Sequence, residues 1–378
     1  MPKEILVLNS GSSSLKFSLF DGSKSLLQGE VENIKDGNSR FWVKGAITKQ
    51  TTLSIPDQKS AVEQVLQVLE QYGTSSLVGI GHRLVFGGNE FLQPIIIDQE
   101  VIQKLHALSS FAPLHMTEEI AVIEMMQKHF SEVKQIASFD TCFHQSLPLK
   151  AQLLGLPKIL HEEGVRRFGF HGLSFESIVA EFETLPKKMI IAHLGNGVSL
   201  CALEEGKSID TSMGLTPLGG LPMGTRPGDL DPGAVLYLLK QKNYSLGELE
   251  RVFYHESGLK GVSGVSSDMK TLLASKEPFA EKAVELFCYR IAKMIGSYLI
   301  ALDGLDALVF TGGIGERSPA IRSRICAQLQ SIGVFLDDEK NLKNERIVSK
   351  KFNSAQVFVI PTQEEKIIAK HVMQSLGL

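Results

Sequence analysis

The feature that most constrains this chain is a local pattern used twice. Residues 5–8 are a short, continuous apolar run, Asn9-Ser10-Gly11-Ser12-Ser13-Ser14 is a turn-forming stretch, and residues 15–19 alternate with period two. Near the middle, residues 189–192 are apolar, His193-Leu194-Gly195-Asn196-Gly197 is the turn, and residues 198–203 resume a strand that stops at Glu204-Glu205-Gly206. Strand, Gly/Ser turn and strand, once in each half, predict a duplicated architecture. Helical spacing fills the intervals: residues 59–71, closed by Gly73, then 118–130, 232–242 and 279–302. Strands alternating with helices predict an α/β fold whose sheets are covered by helices. The chain has 378 residues, room for two domains of ordinary size. The expected crossing is the stretch 147–160, where Pro148 and Pro157 bracket an apolar piece.

Charge excludes several classes of partner. A formal net charge of −3 gives no field that would gather nucleic acid or an anionic membrane, so any anion must be held by local arrangement. The first apolar run is too brief for a signal peptide. The longest apolar stretch, 279–302, carries Glu281, Lys282, Glu285, Arg290 and Lys293, which marks an amphipathic core helix rather than a membrane span. A soluble, cytoplasmic protein is expected. Cys142, Cys201, Cys288 and Cys326 are scattered without a CxxC pair or zinc-ligand spacing, so they read as reduced thiols of the interior.

Three glycine-rich turns are suited to phosphate. The first, NSGSSSLK, offers backbone N–H groups freed by Gly11, the three consecutive hydroxyls of Ser12, Ser13 and Ser14, and Lys16. It is no Walker A loop, because G-x-x-x-x-G-K-[ST] is absent and a strand follows. HLGNG can bring backbone equally close to a phosphate, and a plain tight hairpin explains either turn as well. The third follows the strand at 307–310: Thr311 and Gly312-Gly313-Ile314-Gly315-Glu316, then Ser318 and Pro319 as an N-cap with proline at the first helical position. This is a nucleotide platform or a close-packed βα corner.

Arg83 in GHRLVFGG and Arg226 in GGLPMGTRPGDLDPG sit in backbones stiffened by glycine and proline, as anion clamps or as partners of surface ion pairs. His171, between aromatics and glycine in RFGFHGLSF, reads as a satisfied core residue at least as readily as a catalyst. Asp140 closes the apolar run 136–139, where α/β proteins place functional groups. Thr362 and Glu365 fit a capping box, which leaves Glu364 as the carboxylate without a structural task. Asp268 either favours a helix N-terminus or serves a ligand.

In order and nearly throughout, VLNSGSSSLKFSLF, GHRLVFGG, APLH, FDTCFH, RFGFHGLS, HLGNG, DTSMGLTPLGGLPMGTRPGDLDPG, SGVSSDMK, VFTGGIGERSP and VIPTQEE resemble the acetate kinase (acetokinase) family. The resemblance implies two RNase H-like domains of the kind found in sugar kinases, Hsp70 and actin, with ATP in the interdomain cleft, and a homodimer. The domains would be residues 1–147 with roughly 361–378, and the nucleotide-binding residues 148–360. It implies reversible transfer of the ATP γ-phosphoryl group to acetate by direct in-line attack, giving acetyl phosphate and ADP. Asn9 and Glu364 would lie near Mg²⁺ or Mn²⁺. The turn holding Ser12, Ser14 and Lys16, and that from His193 through Leu194, Gly195, Asn196 and Gly197, would surround the phosphates. Asp268, Met269, Lys270 and Gly312, Gly313, Ile314, Gly315, Glu316 would hold the nucleoside. Arg83, Asp140, His171 and Arg226 would form the reacting centre, and Val85, Leu114, Phe170 and Pro217 the apolar wall behind the acid.

A small carboxylic acid is already ionised at neutral pH, so such chemistry needs charge neutralisation and alignment rather than a strong base. The chain departs from the family pattern at Phe86, Leu173, Phe175, Gly219 and Lys270, where the family usually has histidine, threonine, histidine, glutamate and arginine. Phe86 and Phe175 are expected to reshape the acid pocket and Lys270 to weaken nucleotide recognition. The competing readings are a propionate or other short-chain acyl kinase, a nucleotide-binding regulatory protein without transfer, and an ATP hydrolase.

Overall fold

The computed structural model describes residues 3–11, 13–35, 37–109, 113–352 and 354–378, the side chains of Pro113 and Leu114 excepted. Ser12 and the Leu114 side chain, both named above, lie outside the described residues. The chain divides into two compact units, Met1–Cys142 with Gln363–Leu378, and Phe143–Thr362.

The first unit is built on an eight-stranded sheet. Its strands are β1 (Glu4–Ser10), β2 (Ser14–Asp21), β3 (Lys24–Glu32), β4 (Ser39–Gly45), β5 (Lys49–Leu53), β6 (Leu77–Leu84), β7 (Ile95–Ile96) and β8 (Lys134–Phe139), in the order β5-β4-β3-β2-β1-β6-β8-β7. β1, β6 and β8 are parallel, and the other pairings are antiparallel. β1 is buried at every position, as its continuous apolar run requires of a central strand. Helices α1 (Gln58–Tyr72), α2 (Gln99–Leu108) and α3 (Pro113–His129) and the C-terminal helix Glu364–Leu376 accompany the sheet. The C-terminal helix comes close because β6 presents glycine to it: a Cβ on Gly81 would lie 2.5 Å from Ile368 Cγ2, and one on Gly79 2.6 Å from Val372 Cγ1.

The second unit has a five-stranded sheet of β9 (Lys188–Leu194), β10 (Val198–Glu204), β11 (Lys207–Thr211), β12 (Ala307–Thr311) and β13 (Gln356–Val359), ordered β11-β10-β9-β12-β13. Here too an antiparallel meander is followed by parallel strands, β9 with β12 and β12 with β13. The central strands β3-β2-β1-β6-β8 of the first sheet and the whole of the second share one order and one pattern of directions. The duplication read from two hairpins therefore extends to the whole sheet core. The helices of this unit are α4 (Leu149–Gln152), α5 (Lys158–Glu162), α6 (Gly172–Val179), α7 (Pro232–Gln241), α8 (Leu246–Arg251), α9 (Gly258–Ser263), α10 (Met269–Ala274), α11 (Pro278–Leu302), α12 (Gly312–Arg317), α13 (Pro319–Ala327) and α14 (Asp338–Leu342). α11 buries one stripe that includes Ala283, Phe287, Ile291 and Ile295, as its amphipathic spacing predicts. No described helix is long and apolar enough to cross a membrane.

Local expectations fail in four places, each for a physical reason. α3 starts at Pro113, ahead of the predicted 118, because proline suits a first helical turn. β1 and β9 run on through Ser10 and Leu194, since pairing with β2 and β10 satisfies backbone that composition assigned to turns. Residues 312–317 form helix α12 rather than an open glycine turn; Gly312, at φ 76°, breaks away from β12, and its N–H is taken by Glu316 Oε1 at 3.0 Å. The capping box at Thr362 does not form. Gln363 is the N-cap without a side-chain bond, and Thr362 Oγ1 instead donates to Ser174 Oγ at 2.9 Å.

Candidate functional site

In the first unit the predicted residues meet at strand ends. Parallel neighbours β1, β6 and β8 finish side by side, so Asn9 near the end of β1, Arg83 near the end of β6 and Asp140 just past β8 share one edge. Carboxyl ends of parallel strands are where open α/β sheets hold ligands. Arg83 donates to both oxygens of Asp140, Nε to Oδ1 at 3.3 Å and Nη2 to Oδ2 at 2.6 Å, and through Nη1 to Asn9 Oδ1 at 3.2 Å. Asn9 Nδ2 donates to Glu364 Oε2 at 3.1 Å, at the start of the C-terminal helix. Burial by itself would lower the Arg83 pKa, but Asp140 and Glu364 outweigh it and raise it. The guanidinium is thus a fixed positive charge in a low-dielectric setting, with its fork spent partly on orientation. Val85, two residues beyond Arg83, is buried, its N–H held by Glu119 Oε2 at 3.0 Å.

The turn after β1 is tied by the Gly11 N–H to the Ser14 carbonyl at 2.8 Å. Gln58, the buried first residue of α1, donates through Nε2 to the Gly11 and Ser14 carbonyls at 2.6 and 3.3 Å. Ser14 is half-buried and Lys16 exposed.

In the second unit His171 occupies the left-handed region at φ 59° just before α6, an uncommon backbone for a non-glycine residue. Its Nδ1 is hydrogen-bonded to Ser199 Oγ at 2.8 Å, and its ring stacks on His193 with centroids 4.3 Å apart. Nε2 lies against the HLGNG turn, where a Cβ on Gly197 would come within 3.0 Å of it. His193 Nδ1 is bonded to Ser174 Oγ at 2.8 Å, so both rings are oriented by serines. Arg226 donates through Nη1 to the Pro217 carbonyl at 3.2 Å, which joins two predicted residues. Their loop is held by Gly220 N–H to Asp229 Oδ1 at 2.7 Å and by Gly224 N–H to the Asn196 carbonyl at 3.0 Å. Phe170 is buried, and its carbonyl accepts from His144 Nε2 at 3.1 Å.

A cavity of about 730 Å³ gathers the nucleotide candidates of this unit: Gly195 and Asn196, Asp268, Met269 and Lys270, and Gly313 and Ile314. Ser267, Leu273, Arg317, Ser318, Pro319 and Ala320 complete its wall. Leu194, Gly312, Gly315 and Glu316 do not line it. Leu194, Gly312 and Gly315 are buried, and Gly312 is needed because a Cβ there would strike the Leu194 carbonyl oxygen at 2.8 Å. Glu316 is engaged with backbone, accepting from Gly312 and Thr362 N–H groups through Oε1. Asp268 lines the cavity and also caps α10, accepting from the Thr271 N–H at 2.8 Å, which bears out its reading as a helix N-terminal residue.

Sequence reasoning missed Gln58, Glu119, Leu273 and Arg317. For the first three nothing local signals their places, which depend on how a helix docks. Arg317 stands beside Glu316 in GERSP and could have been found there. The departures at Leu173 and Phe175 are core substitutions. Both are buried, and Phe175 packs on His144 with centroids 5.6 Å apart rather than facing a pocket. Phe86 is buried as well, immediately after Val85.

Cys142, Cys201, Cys288 and Cys326 are thiols, outside any disulfide. Burial pushes the Cys288 and Cys326 thiols up to about 12, which leaves them unreactive. Among the described residues no group of three His, Cys, Asp or Glu is placed to hold a metal. Of the pair Asn9 and Glu364, the Glu364 carboxylate is a hard-oxygen donor of the kind that suits Mg²⁺, which keeps water and takes most other ligands from substrate phosphates; the Asn9 amide oxygen accepts from Arg83 Nη1, and its Nδ2 donates to Glu364.

Comparison with known proteins identifies the family. A family model described as the Acetokinase family matches residues 4–370. The chain is 40% identical to an acetate kinase of Rickettsia prowazekii over the full length of both, and 42% identical to one of Rhodopseudomonas palustris over 98% of each. Among solved structures it is similar to a propionate kinase from Francisella tularensis, at 39% identity and TM-score 0.92, covering 98% of this chain and 99% of that one. It is also similar to an acetate kinase of Porphyromonas gingivalis, at 35% identity and TM-score 0.88, covering 99% and 100%.

Proposed function

The chain belongs to the acetokinase family, ATP-dependent phosphotransferases with a carboxyl group as acceptor, and from that premise we propose how its residues carry the reaction. The reaction is reversible transfer of the γ-phosphoryl group from ATP to acetate, giving acetyl phosphate and ADP. A carboxylate oxygen forms the new P–O bond as the bond to the β,γ-bridging oxygen breaks, and that electron pair leaves with ADP. The observation that carries the reading is the Arg83 guanidinium held on both oxygens of Asp140, beside Asn9 and Glu364.

The acceptor is already an anion at neutral pH, so no side chain needs to remove a proton. Arg83 holds the carboxylate and Asp140 aims the guanidinium. Val85, Leu114, Phe170 and Pro217 exclude water from the alkyl end. Arg226 and His171 neutralise the transferring phosphoryl group, His171 donating from Nε2 while Ser199 fixes its ring. Ser12, Ser14 and Lys16, together with the His193–Gly197 turn, neutralise the nucleotide phosphates. Asp268, Met269, Lys270, Gly313 and Ile314 enclose the nucleoside, with Gly312, Gly315 and Glu316 supporting the corner. Asn9 and Glu364 would hold a divalent cation such as Mg²⁺ or Mn²⁺, which when bound neutralises phosphate charge.

The two compact units would be the two domains of the family. A cytoplasmic homodimer is part of the same reading. Its support is α7, which buries none of its residues and exposes Leu236 and Tyr237.

A second reading, preference for propionate, is favoured by the close likeness to the Francisella tularensis structure. One methylene is worth only about 1–3 kcal/mol in an apolar pocket. Trapping the acyl phosphate as its hydroxamate, with Mg·ATP and acetate, propionate or butyrate, tests both readings. Acid-dependent hydroxamate ranked by kcat/KM identifies the acceptor, and none with any acid removes the assignment. Arg226→Ala and His171→Asn should each lose about 10²–10³ in turnover. Activity within a few-fold of the parent would take that residue out of the mechanism.

A further inference from the structure

α3 turns a carboxylate inward at Glu119, which is 3% exposed. One oxygen, Oε2, accepts from the Val85 N–H at 3.0 Å, while Oε1 has no hydrogen-bond partner among the described residues. A glutamate so placed is costly to bury, and apolar packing alone would be served better by leucine or methionine. Its place explains the cost. Val85 is the first residue beyond β6 and lies two positions from Arg83, where sheet pairing no longer supplies an acceptor for its N–H. The next such donor, Gly87 N–H, is taken by Thr141 Oγ1 at 3.1 Å. Two side chains from outside the strand thus hold the segment that follows Arg83.

We infer that Glu119 is a positioning residue for the acid-binding end of β6: by holding the Val85 N–H it fixes the path of the backbone that carries Arg83 and Val85. The inference rests on the proposed function for the meaning of that path, and not for the contact itself. Burial pushes the Glu119 carboxyl up to about 8, against the opposing pull of Arg83. It therefore stands as the neutral acid at neutral pH and adds no negative charge beside an anionic acceptor. A neutral acid that only accepts from a backbone N–H is well imitated by glutamine and not by leucine, which fills the same space without an acceptor.

The test compares Glu119→Gln with Glu119→Leu. Glutamine should keep KM for the acid within about twofold of the parent. Leucine should raise it roughly tenfold to a hundredfold, the range for one buried donor left unpaired, with KM for ATP unchanged. Amide hydrogen exchange over residues 84–86 is read in parallel and needs no activity: the Gln protein should match the parent and the Leu protein exchange at least tenfold faster. Equal exchange and equal acid KM in the two variants would overturn the inference. Should the parent itself show no acid-dependent turnover, the proposed function fails while the exchange comparison still decides the role of Glu119.

Discussion

Asp140 receives the Arg83 guanidinium on both carboxylate oxygens, and with its side chain 1% exposed it has almost no water to replace that partner. The pair costs desolvation on both sides and returns a cation whose fork has one orientation.

Asp140→Asn keeps the shape and removes the charge, so the half-buried Arg83 loses its principal counter-charge and keeps the weaker attraction of Glu364. The expected loss is roughly 3–5 kcal/mol of unfolding free energy for the broken pair. Turnover should fall by about 10²–10³ as the guanidinium loses its aim. Urea unfolding alongside steady-state kinetics measures both. Undiminished kcat/KM in a folded protein would show that Asp140 does not orient Arg83.

Lys270 and Arg317 are the two cationic side chains on the wall of the second unit's cavity. Arg317→Ala should raise KM for ATP severalfold and leave KM for the acid alone, because a cation there has only the nucleotide to act on. Lys270→Arg restores a planar fork and should lower KM for ATP. Unchanged ATP constants in both variants would mean that the cavity does not take the nucleotide.

Three buried groups set a pH dependence of stability. Burial pulls His82 and His144 down to about 4, so both are neutral in the fold, whereas the unfolded chain takes up protons near pH 6.5. Their contribution is present above about pH 6.5 and is lost as pH falls toward 4, at up to about 3 kcal/mol each. Glu119 acts in the opposite sense. Its folded pKa of about 8 lies above the unfolded 4.5, so its contribution is complete below pH 4.5 and is lost as pH rises from there through 8. Through these groups Tm should peak near about pH 6.5. Glu119→Gln should flatten the alkaline limb and steepen the acidic one, because the Glu119 linkage opposes that of the two histidines between pH 4.5 and 6.5. Calorimetry from pH 5 to 8.5 reads this directly, and an alkaline limb equally steep in the variant would exclude Glu119 as its source.

α7 carries Leu236 and Tyr237 at 52% exposure each, and the neighbouring Leu246 is 73% exposed. If a second copy covers this face, Leu236→Lys with Tyr237→Lys should shift sedimentation from dimer to monomer. A parent that sediments as a monomer at micromolar concentration would refute the dimer.

Some of this protein was determined by its sequence alone. The two hairpins at 5–19 and 189–203 were legible because a strand's burial and a turn's chemistry are local properties, recorded in adjacent residues. The motif-bearing residues Arg83, Asp140, Asn9 and Glu364 were legible by resemblance, and the adjoining ends of β1, β6 and β8 account for the meeting of the first three. What local pattern could not decide was how each polar side chain is satisfied. Thr362 and Glu365 spell a capping box, yet Thr362 bonds Ser174, 188 positions away in the chain. Phe175 read as a pocket residue lies in the core, and Gln58 and Glu119 gained partners only when α1 and α3 docked. Local sequence sets backbone preference at little energetic cost. A buried hydrogen bond is decided by which distant group arrives within 3 Å, and only the tertiary fold brings it there.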